Sequence, residues 1–415
     1  VYSQPIIDRT IDRYRAANLK LTPLPVETCR EYAAKLTFKL SNTPAGQDGV
    51  RQPVIWTPVE KEFMLSEALL CKADFRYFAD RYAYAELDAS EGGRVAPVTF
   101  WPSQLRTLEI IAAREQENWA NFDKYGFASG IHVVWHKSRQ QGATALAALM
   151  VMHRMITTKH TRAITASLDN PKVHELYVRH KVVLDNLPFY LTPKIEFDVK
   201  DSHISFETLR SRITYQQANQ EAGVGTGQQF DISHMTEVAL WPLAERLQFD
   251  FLPAVPQHPN VFVGFESTAN GKGGFWYDFT ENIRKKSRGY EQWVYSFTPW
   301  YINHNKNRLV PPTNWTPSPT TLEQAAIVER TSYEFAGKTI RPTLPQLYWW
   351  ETEYFLNRQQ GTLHIFFSNY PTTPEQSFQY ATATALPVET MEWMRSIADH
   401  RKFKPYNIEY AHPTS

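Results

Sequence analysis

Cysteine is scarce. The 415 residues hold two, Cys29 and Cys71, far apart and in no CxxC pattern. That excludes a disulfide-stapled secreted scaffold and leaves two reduced thiols of a cytosolic protein. No Cys and His residues stand at zinc-finger spacing. Long apolar runs are also missing: the longest, Ala143–Met152, is about half the ~20 residues a membrane span requires. No signal peptide opens the chain, and no membrane partner is expected. Because Val1 is no natural start, the N-terminus is expected to be trimmed or processed. Charge of one sign is not in excess, with 44 Lys and Arg against 43 Asp and Glu, so a nucleic-acid partner would have to be met by a local patch. There is no internal repeat and no low-complexity tract. What is present is a high aromatic content, 14 % with 12 Trp, and an ordinary 21 % of charged residues. This is a globular composition with length for two or three domains and a sizeable core.

To about residue 95 the chain reads as helical. Ile6–Ala17 and Val26–Leu40 carry helical spacing, and after a polar loop, Ser41–Gln52, a third block runs from Pro58 to about Tyr84. Gly92-Gly93 marks a loop. From residue 96 the pattern alternates. Strands are expected at Ile131–Trp135, Arg162–Ser167 and Val261–Phe265, and a short hairpin at Ile204–Phe206 with Arg212–Gln216. Helices are expected over Ala143–Lys159 and Pro171–Leu187. Ala143–Lys159 is apolar nearly all round, so it must be buried on several sides, as against a parallel sheet. Strands alternating with helices make 96–310 an α/β domain. The stretch after about residue 300 is Pro-rich and reads as a linker to a smaller aromatic region, 311–415, with helices at Gln346–Arg358 and Val388–His400.

The segment from Val133 to Ala145 carries the chemistry. A strand runs into the short loop Lys137-Ser138-Arg139-Gln140-Gln141-Gly142 and then into the buried helix at Ala143-Thr144. Such geometry aims backbone N–H groups and the positive helix end at a phosphate. Gly142 permits close backbone approach, and Thr144, one turn inside, is placed to put its hydroxyl on Mg²⁺. The standard P-loop, or Walker A, reads Gly, four residues, then Gly-Lys-Ser/Thr. Here Lys137 stands where the first Gly belongs and Ala143 where the Lys belongs. The cation has moved from the loop's end to its start, with Lys137 and Arg139 the only candidates inside the loop. The plain alternative is an ordinary strand–helix turn with solvated basic residues.

Downstream, a strand leading to Met235-Thr236-Glu237-Val238-Ala239-Leu240-Trp241 resembles the second nucleotide motif, in which a first acid helps hold Mg²⁺ and a Glu polarises the attacking water. Thr236 replaces the first acid, leaving it a metal contact directly or through water. Glu237 is the candidate catalytic carboxylate, against the plain reading of an exposed Glu at a strand end.

The altered loop resembles that of tailed-phage terminase large subunits, which carry Lys or Arg before the Gly and Ser or Thr two residues after it. Four further segments follow the family's order: Phe100-Trp101-Pro102-Ser103-Gln104, Thr236-Glu237-Val238-Ala239-Leu240-Trp241, Val261 to Gly271 with its Ser267-Thr268-Ala269-Asn270-Gly271 ending, and Phe367 to Phe378. The resemblance covers roughly residues 74 to 410. It implies a P-loop NTPase of the ASCE (RecA-like) kind with a mostly parallel sheet, a helical N-terminal lid over 1–95, an ATPase core over 96–310, and a linking subdomain over 311–415. It implies ATP and Mg²⁺ as cofactors, Gln104 on the adenine edge, residues 137–144 around the phosphates, and Ser267, Thr268 and Asn270 as coupling residues. The implied activity is ATP hydrolysis driving DNA into a capsid, in a phage-encoded protein of the host cytoplasm. The implied partners are double-stranded DNA, a portal protein, a small terminase subunit and a homo-oligomeric ring. The positive group for the transition state is Arg139 in cis or an arginine of a neighbouring subunit in trans. DNA would be gripped through its phosphates by Arg284, Lys285, Lys286 and Arg288, with Lys306 and Arg308 or Arg401, Lys402 and Lys404 as further clusters.

Large subunits of this family continue into an RNase H-type nuclease, whose three carboxylates hold two metal ions about 4 Å apart. After Phe378 come Glu389, Glu392, Asp399 and Glu409 with no strand pattern to group them, so no nuclease activity is expected. Two other functions fit fewer of the motifs: a helicase-like translocase outside packaging, and a non-catalytic structural phage protein of the portal-adaptor or capsid kind.

Overall fold

The computed structural model describes residues 21–43, 53–87, 93–218, 223–331 and 333–379. The expected helices Ile6–Ala17 and Val388–His400, most of the Ser41–Gln52 loop, Gly92, the carboxylates from Glu389 onward and the cluster Arg401, Lys402 and Lys404 lie outside these residues.

The N-terminal part is helical where described: α1 (Val26–Ser41), α2 (Pro58–Ala73) and α3 (Phe75–Tyr82). A capping box starts α2. The Thr57 hydroxyl accepts from the Glu60 N–H at 3.2 Å and the Glu60 carboxylate accepts from the Thr57 N–H at 2.7 Å, while Pro58 at the first position wastes no donor. Asp74 ends α2 in an extended conformation and its carboxylate accepts from the Tyr77 N–H to start α3. The expected helical block therefore breaks at Asp74, and it stops before Tyr84, which opens β1 (Tyr84–Glu86). That strand pairs antiparallel with β2 (Val95–Pro97).

The centre is one sheet built from β3 (Ile131–Lys137), β4 (Arg162–Ser167), β5 (Ile195–Val199), β6 (His203–Phe206), β7 (Ser211–Gln217), β8 (Ile232–Thr236), β9 (Phe262–Ser267) and β10 (Trp293–Thr298). The order is β10-β3-β9-β8-β4-β7-β6-β5. From β10 to β7 every pair is parallel; β6 and β5 add an antiparallel edge. The expected short hairpin is β6 with β7. One strand, β9, lies between the loop-bearing β3 and the acid-motif strand β8, which is the α/β arrangement of an ASCE P-loop NTPase.

Helices α4 (Pro102–Tyr125), α5 (Ala143–Thr157) and α6 (Asn170–Asp185) pack on one face of the sheet, and α7 (Gly274–Arg284) on the other. Side chains alternate across β3: Val133 and Trp135 join the α5 side, Val134 the α7 side. Burial on both faces explains why the strand reads as an apolar run interrupted only by His132 before its His136-Lys137 end. Gly264 on β9 is required by this packing, because a Cβ there would come within 2.7 Å of the Trp135 ring.

The C-terminal part has its own small core of Trp300, Tyr301, Val328, Trp350 and Phe366. It comprises α8 (Pro319–Thr331), the hairpin β11 (Glu334–Phe335) and β12 (Lys338–Thr339), α9 (Leu344–Gln359), α10 (Leu363–Asn369) and α11 (Pro374–Ser377). The Pro-rich stretch is thus not all linker. Pro319 is the first residue of α8, where a missing N–H costs nothing, and the Ser318 hydroxyl accepts from the Thr321 N–H at 3.3 Å. Among the described residues no helix is long and apolar enough to cross a membrane.

Candidate functional site

β3 ends at Lys137, and the chain turns through Ser138–Gln141 into α5. Gly142, with φ of 75°, begins that helix, so the unpaired amides of its first turn open at the carboxyl edge of the sheet. The loop is pinned from outside. The Ser138 N–H donates to Thr298 O and the Arg139 N–H to Asn369 O, both at 2.9 Å. The Gln141 amide donates to Arg139 O and accepts from Asn303 Nδ2, and Ser103 Oγ donates to Gln141 O. Two amides at the start of the loop are therefore already spent.

Lys137, Gln140, Gln141, Gly142, Thr144 and Gln104 share the lining of a cleft of about 440 Å³ at this edge. Three expected nucleotide contacts fall elsewhere. Ser138 is fully buried behind the loop, Ala143 is buried, and the Arg139 side chain is exposed outside the cleft lining. The reason for Arg139 is its backbone: the bond to Asn369 turns this residue toward the C-terminal segment. The sequence shows a basic residue in the loop but not which way it faces. The cleft instead receives Arg179 from α6 and Lys306. Lys306 lies over the Trp101 ring, 4.7 Å from its centroid, and is buried, so it is no exposed DNA patch. Arg179, a single charge in an amphipathic helix, carries no local signal in the sequence.

Gln104 is on the cleft wall with both ends of its amide engaged. Oε1 accepts from the Trp101 N–H and Nε2 donates to Gly142 O, each at 2.9 Å. One N–H and one lone pair remain for a base edge. A Cβ on Gly142 would approach Gln104 Nε2 to 2.7 Å. Gly142→Ala is thus expected to dislodge Gln104 and to strain a left-handed residue, costing about 1–2 kcal/mol of stability. Thermal unfolding checks this, and an unchanged Tm would count against the tight Gly142–Gln104 contact.

The relocated cation is held. Lys137 Nζ lies 2.8 Å from Glu266 Oε2 and 3.2 Å from Thr144 Oγ1. Glu266, at the end of β9, is fully buried, and its other oxygen meets His234 Nε2 at 2.9 Å. Burial alone would raise the Glu266 pKa, but the Lys137 ammonium and the His234 contact outweigh it and hold the carboxyl well below its ordinary range. Glu266 carries only a faint mark in the sequence. It is the lone charge near the end of the otherwise uncharged strand Phe262–Ser267.

Glu237 follows β8 directly and adopts φ 60°, ψ 34°, a left-handed conformation that a non-glycine residue rarely takes. Its carboxylate forms an ion pair with Lys172 in the first turn of α6. The next turn, Val238–Leu240, is tied to the end of β9: the Ala239 N–H donates to Ser267 Oγ at 3.1 Å and Asn270 Nδ2 donates to Ala239 O at 3.2 Å. Two of the three expected coupling residues therefore brace the segment that carries Glu237. Thr268 follows Ser267 and is half-buried. Thr236 is buried and in register with Glu266 on the neighbouring strand.

The Phe367–Phe378 segment docks on the loop strand. Asn369 accepts from the loop as described, and Ser377 Oγ meets His136 Nε2 at 2.9 Å while His136 Nδ1 meets the Tyr295 hydroxyl at 2.7 Å. Burial pushes the His136 pKa down to about 3, so the ring is a neutral bridge between β3 and this segment. Arg284 does not stand free: it bridges Glu281 and Glu375, which ties α7 to α11. Of the basic residues expected to meet DNA there, Lys285, Lys286 and Arg288 are exposed.

No family model matches the sequence, and no curated protein matches it. Among solved structures the chain is similar to the large terminase of bacteriophage HK97, at 10 % identity and a TM-score of 0.45 over 72 % of this chain and 53 % of that one. It is similar to the large terminase ATPase domain of Thermus phage P74-26, at 10 % identity and a TM-score of 0.33 over 42 % of this chain and 78 % of that one. It is also similar to the large terminase of another, thermophilic bacteriophage, at 13 % identity and a TM-score of 0.33 over 55 % of this chain and 53 % of that one. The chain spans about half the length of the HK97 protein. All three are bacteriophage large terminases, the family that the ordered motifs of this sequence resemble.

Proposed function

We propose that the chain is the ATP-hydrolysing, DNA-translocating motor of viral genome packaging, the ATPase part of a terminase large subunit. The observation that carries the reading is the convergence, at one edge of a parallel sheet, of a helix N-terminus, the lysine that precedes it, and a strand-end glutamate held out in a left-handed turn. The first-turn amides of α5 cradle the phosphates, and Lys137 moves from Glu266 to meet their charge. Glu237 orients and polarises the attacking water for in-line displacement. Ser267 and Asn270, bound to the Ala239 turn, pass the resulting shift to the rest of the domain. Mg²⁺ bound with the nucleotide would neutralise charge on the phosphates; Thr144 fits a cation, since its hydroxyl already faces the Lys137 ammonium. Arg179 or a neighbouring subunit's arginine supplies the remaining positive group.

The partners follow as part of the same proposal: double-stranded DNA gripped through its phosphates, a portal protein, a small terminase subunit and a ring of copies in the host cytoplasm. The test is direct. Purified protein should bind a fluorescent ATP analogue with Mg²⁺-dependent affinity and hydrolyse ATP faster when double-stranded DNA is added. A protein with no Mg²⁺-dependent ATP affinity would be a structural phage component instead.

A further inference from the structure

Nucleotide sites of this arrangement set a carboxylate beside the loop hydroxyl, on the acid-motif strand, to help hold Mg²⁺. Here that strand, β8, ends in Thr236, which has no charge to offer. Directly across from it, in register on β9, stands Glu266. A fully buried carboxylate is costly unless both oxygens are matched, and the two oxygens of Glu266 are matched differently. Oε1 is fixed by His234 at 2.9 Å, while Oε2 faces the Lys137 ammonium at 2.8 Å. The same ammonium contacts Thr144 Oγ1 at 3.2 Å. One cation thus sits between a hydroxyl in the first turn of α5 and a strand-end carboxylate.

These are the two donor types that a nucleotide-bound Mg²⁺ takes from a protein, the remaining positions going to phosphate oxygens and water. We propose that Glu266 is the metal-side carboxylate of the nucleotide site, transferred from β8 to the adjacent strand, and that the Lys137 ammonium keeps the ion's place until nucleotide arrives. This inference rests on the nucleotide reading above. It also explains why Lys137 and Glu266 depart from the usual pattern together. The loop cation at the start of the loop needs an anion within reach when no phosphate is bound, and β9, the strand next to β3, supplies it. His234 is the positioning residue, orienting Glu266 as outer partners of metal ligands do.

The experiment titrates mant-ADP into the whole chain with Mg²⁺ and with EDTA, comparing wild type, Glu266→Gln, and Glu266→Gln combined with Thr236→Asp. The wild type should bind more tightly with Mg²⁺. Glu266→Gln should keep its affinity in EDTA and need about 10- to 100-fold more Mg²⁺ to reach the tight state. The added Thr236→Asp, returning an acid to β8, should recover part of that loss. If Glu266→Gln keeps the full wild-type Mg²⁺ response, the metal assignment is wrong even though nucleotide binds. If the wild type binds no mant-ADP under either condition, the nucleotide reading falls and takes this one with it. Should Glu266→Gln fail to fold, Glu266→Asp retains the charge but draws it back by one methylene. It should lose Mg²⁺ response as well, and a wild-type response from it overturns the proposal.

Discussion

Replacing Glu237 by Ala should stop ATP hydrolysis while leaving ATP binding intact. The carboxylate contributes to no phosphate cradle: its partner is Lys172 on α6, and the loop, Lys137 and Gln104 are built without it. Loss of a positioned general base lowers turnover by about 10²- to 10⁴-fold. Glu237 already bears the left-handed backbone, so Ala adds no strain there; it gives up the part-exposed Lys172 ion pair, a stability change of at most about 1 kcal/mol. Glu237→Gln separates the two effects, because it keeps the side-chain length while removing the charge that polarises water. Single-turnover hydrolysis and equilibrium nucleotide binding, measured on both variants, check the assignment. Hydrolysis at the wild-type rate by either variant would move the catalytic carboxylate elsewhere, and Glu266 would be the first alternative to examine.

The sequence is most legible where a residue's role follows from its immediate neighbours. A β-branched, largely apolar run into a Gly-containing turn and a helix apolar nearly all round reads as a buried strand, loop and helix, and β3 and α5 are those elements. The position of Gln104 on the cleft wall follows from the aromatic-Pro-x-Gln segment that opens α4, and that of Glu237 from the end of β8. The misses have a common cause. Glu266, His234, Lys172 and Arg179 come to this edge because of which strand or helix lies beside which, and strand order is not written in local periodicity. The insertion of β9 between β3 and β8 brings Glu266 within reach of Lys137, although the two stand far apart in the chain. Arg139 shows the opposite case. Its position in the loop is right, but the bond from its N–H to Asn369 depends on a segment far downstream. Helix α8 is hidden because proline usually breaks a helix, whereas Pro319 stands at the one helical position that tolerates it.

Lys137→Ala should be damaging twice over, and the two kinds of damage can be separated. Nucleotide affinity and hydrolysis should both fall, since the cation proposed above to meet the phosphates is gone. Stability should fall too, because Glu266 remains fully buried with His234 as its one remaining partner; stripping a buried charge of its counter-ion costs about 3–5 kcal/mol. The pair's contribution has a defined pH course. The Glu266 carboxyl titrates well below its ordinary range when folded, so its stabilisation is complete above the unfolded-state value and is lost as pH falls through the acid range. Lys137→Ala should therefore lower the unfolding midpoint most at neutral pH and least in acid. Adding Glu266→Gln to Lys137→Ala removes the orphaned charge, so the double variant should regain stability relative to Lys137→Ala without regaining ATP affinity. Denaturant unfolding at two pH values, with nucleotide binding on the same samples, reads both effects. Normal hydrolysis by Lys137→Ala would mean that the loop after β3 does not hold phosphate. An unchanged unfolding midpoint would mean that Glu266 finds another partner, and the coupling between the two strands would be absent.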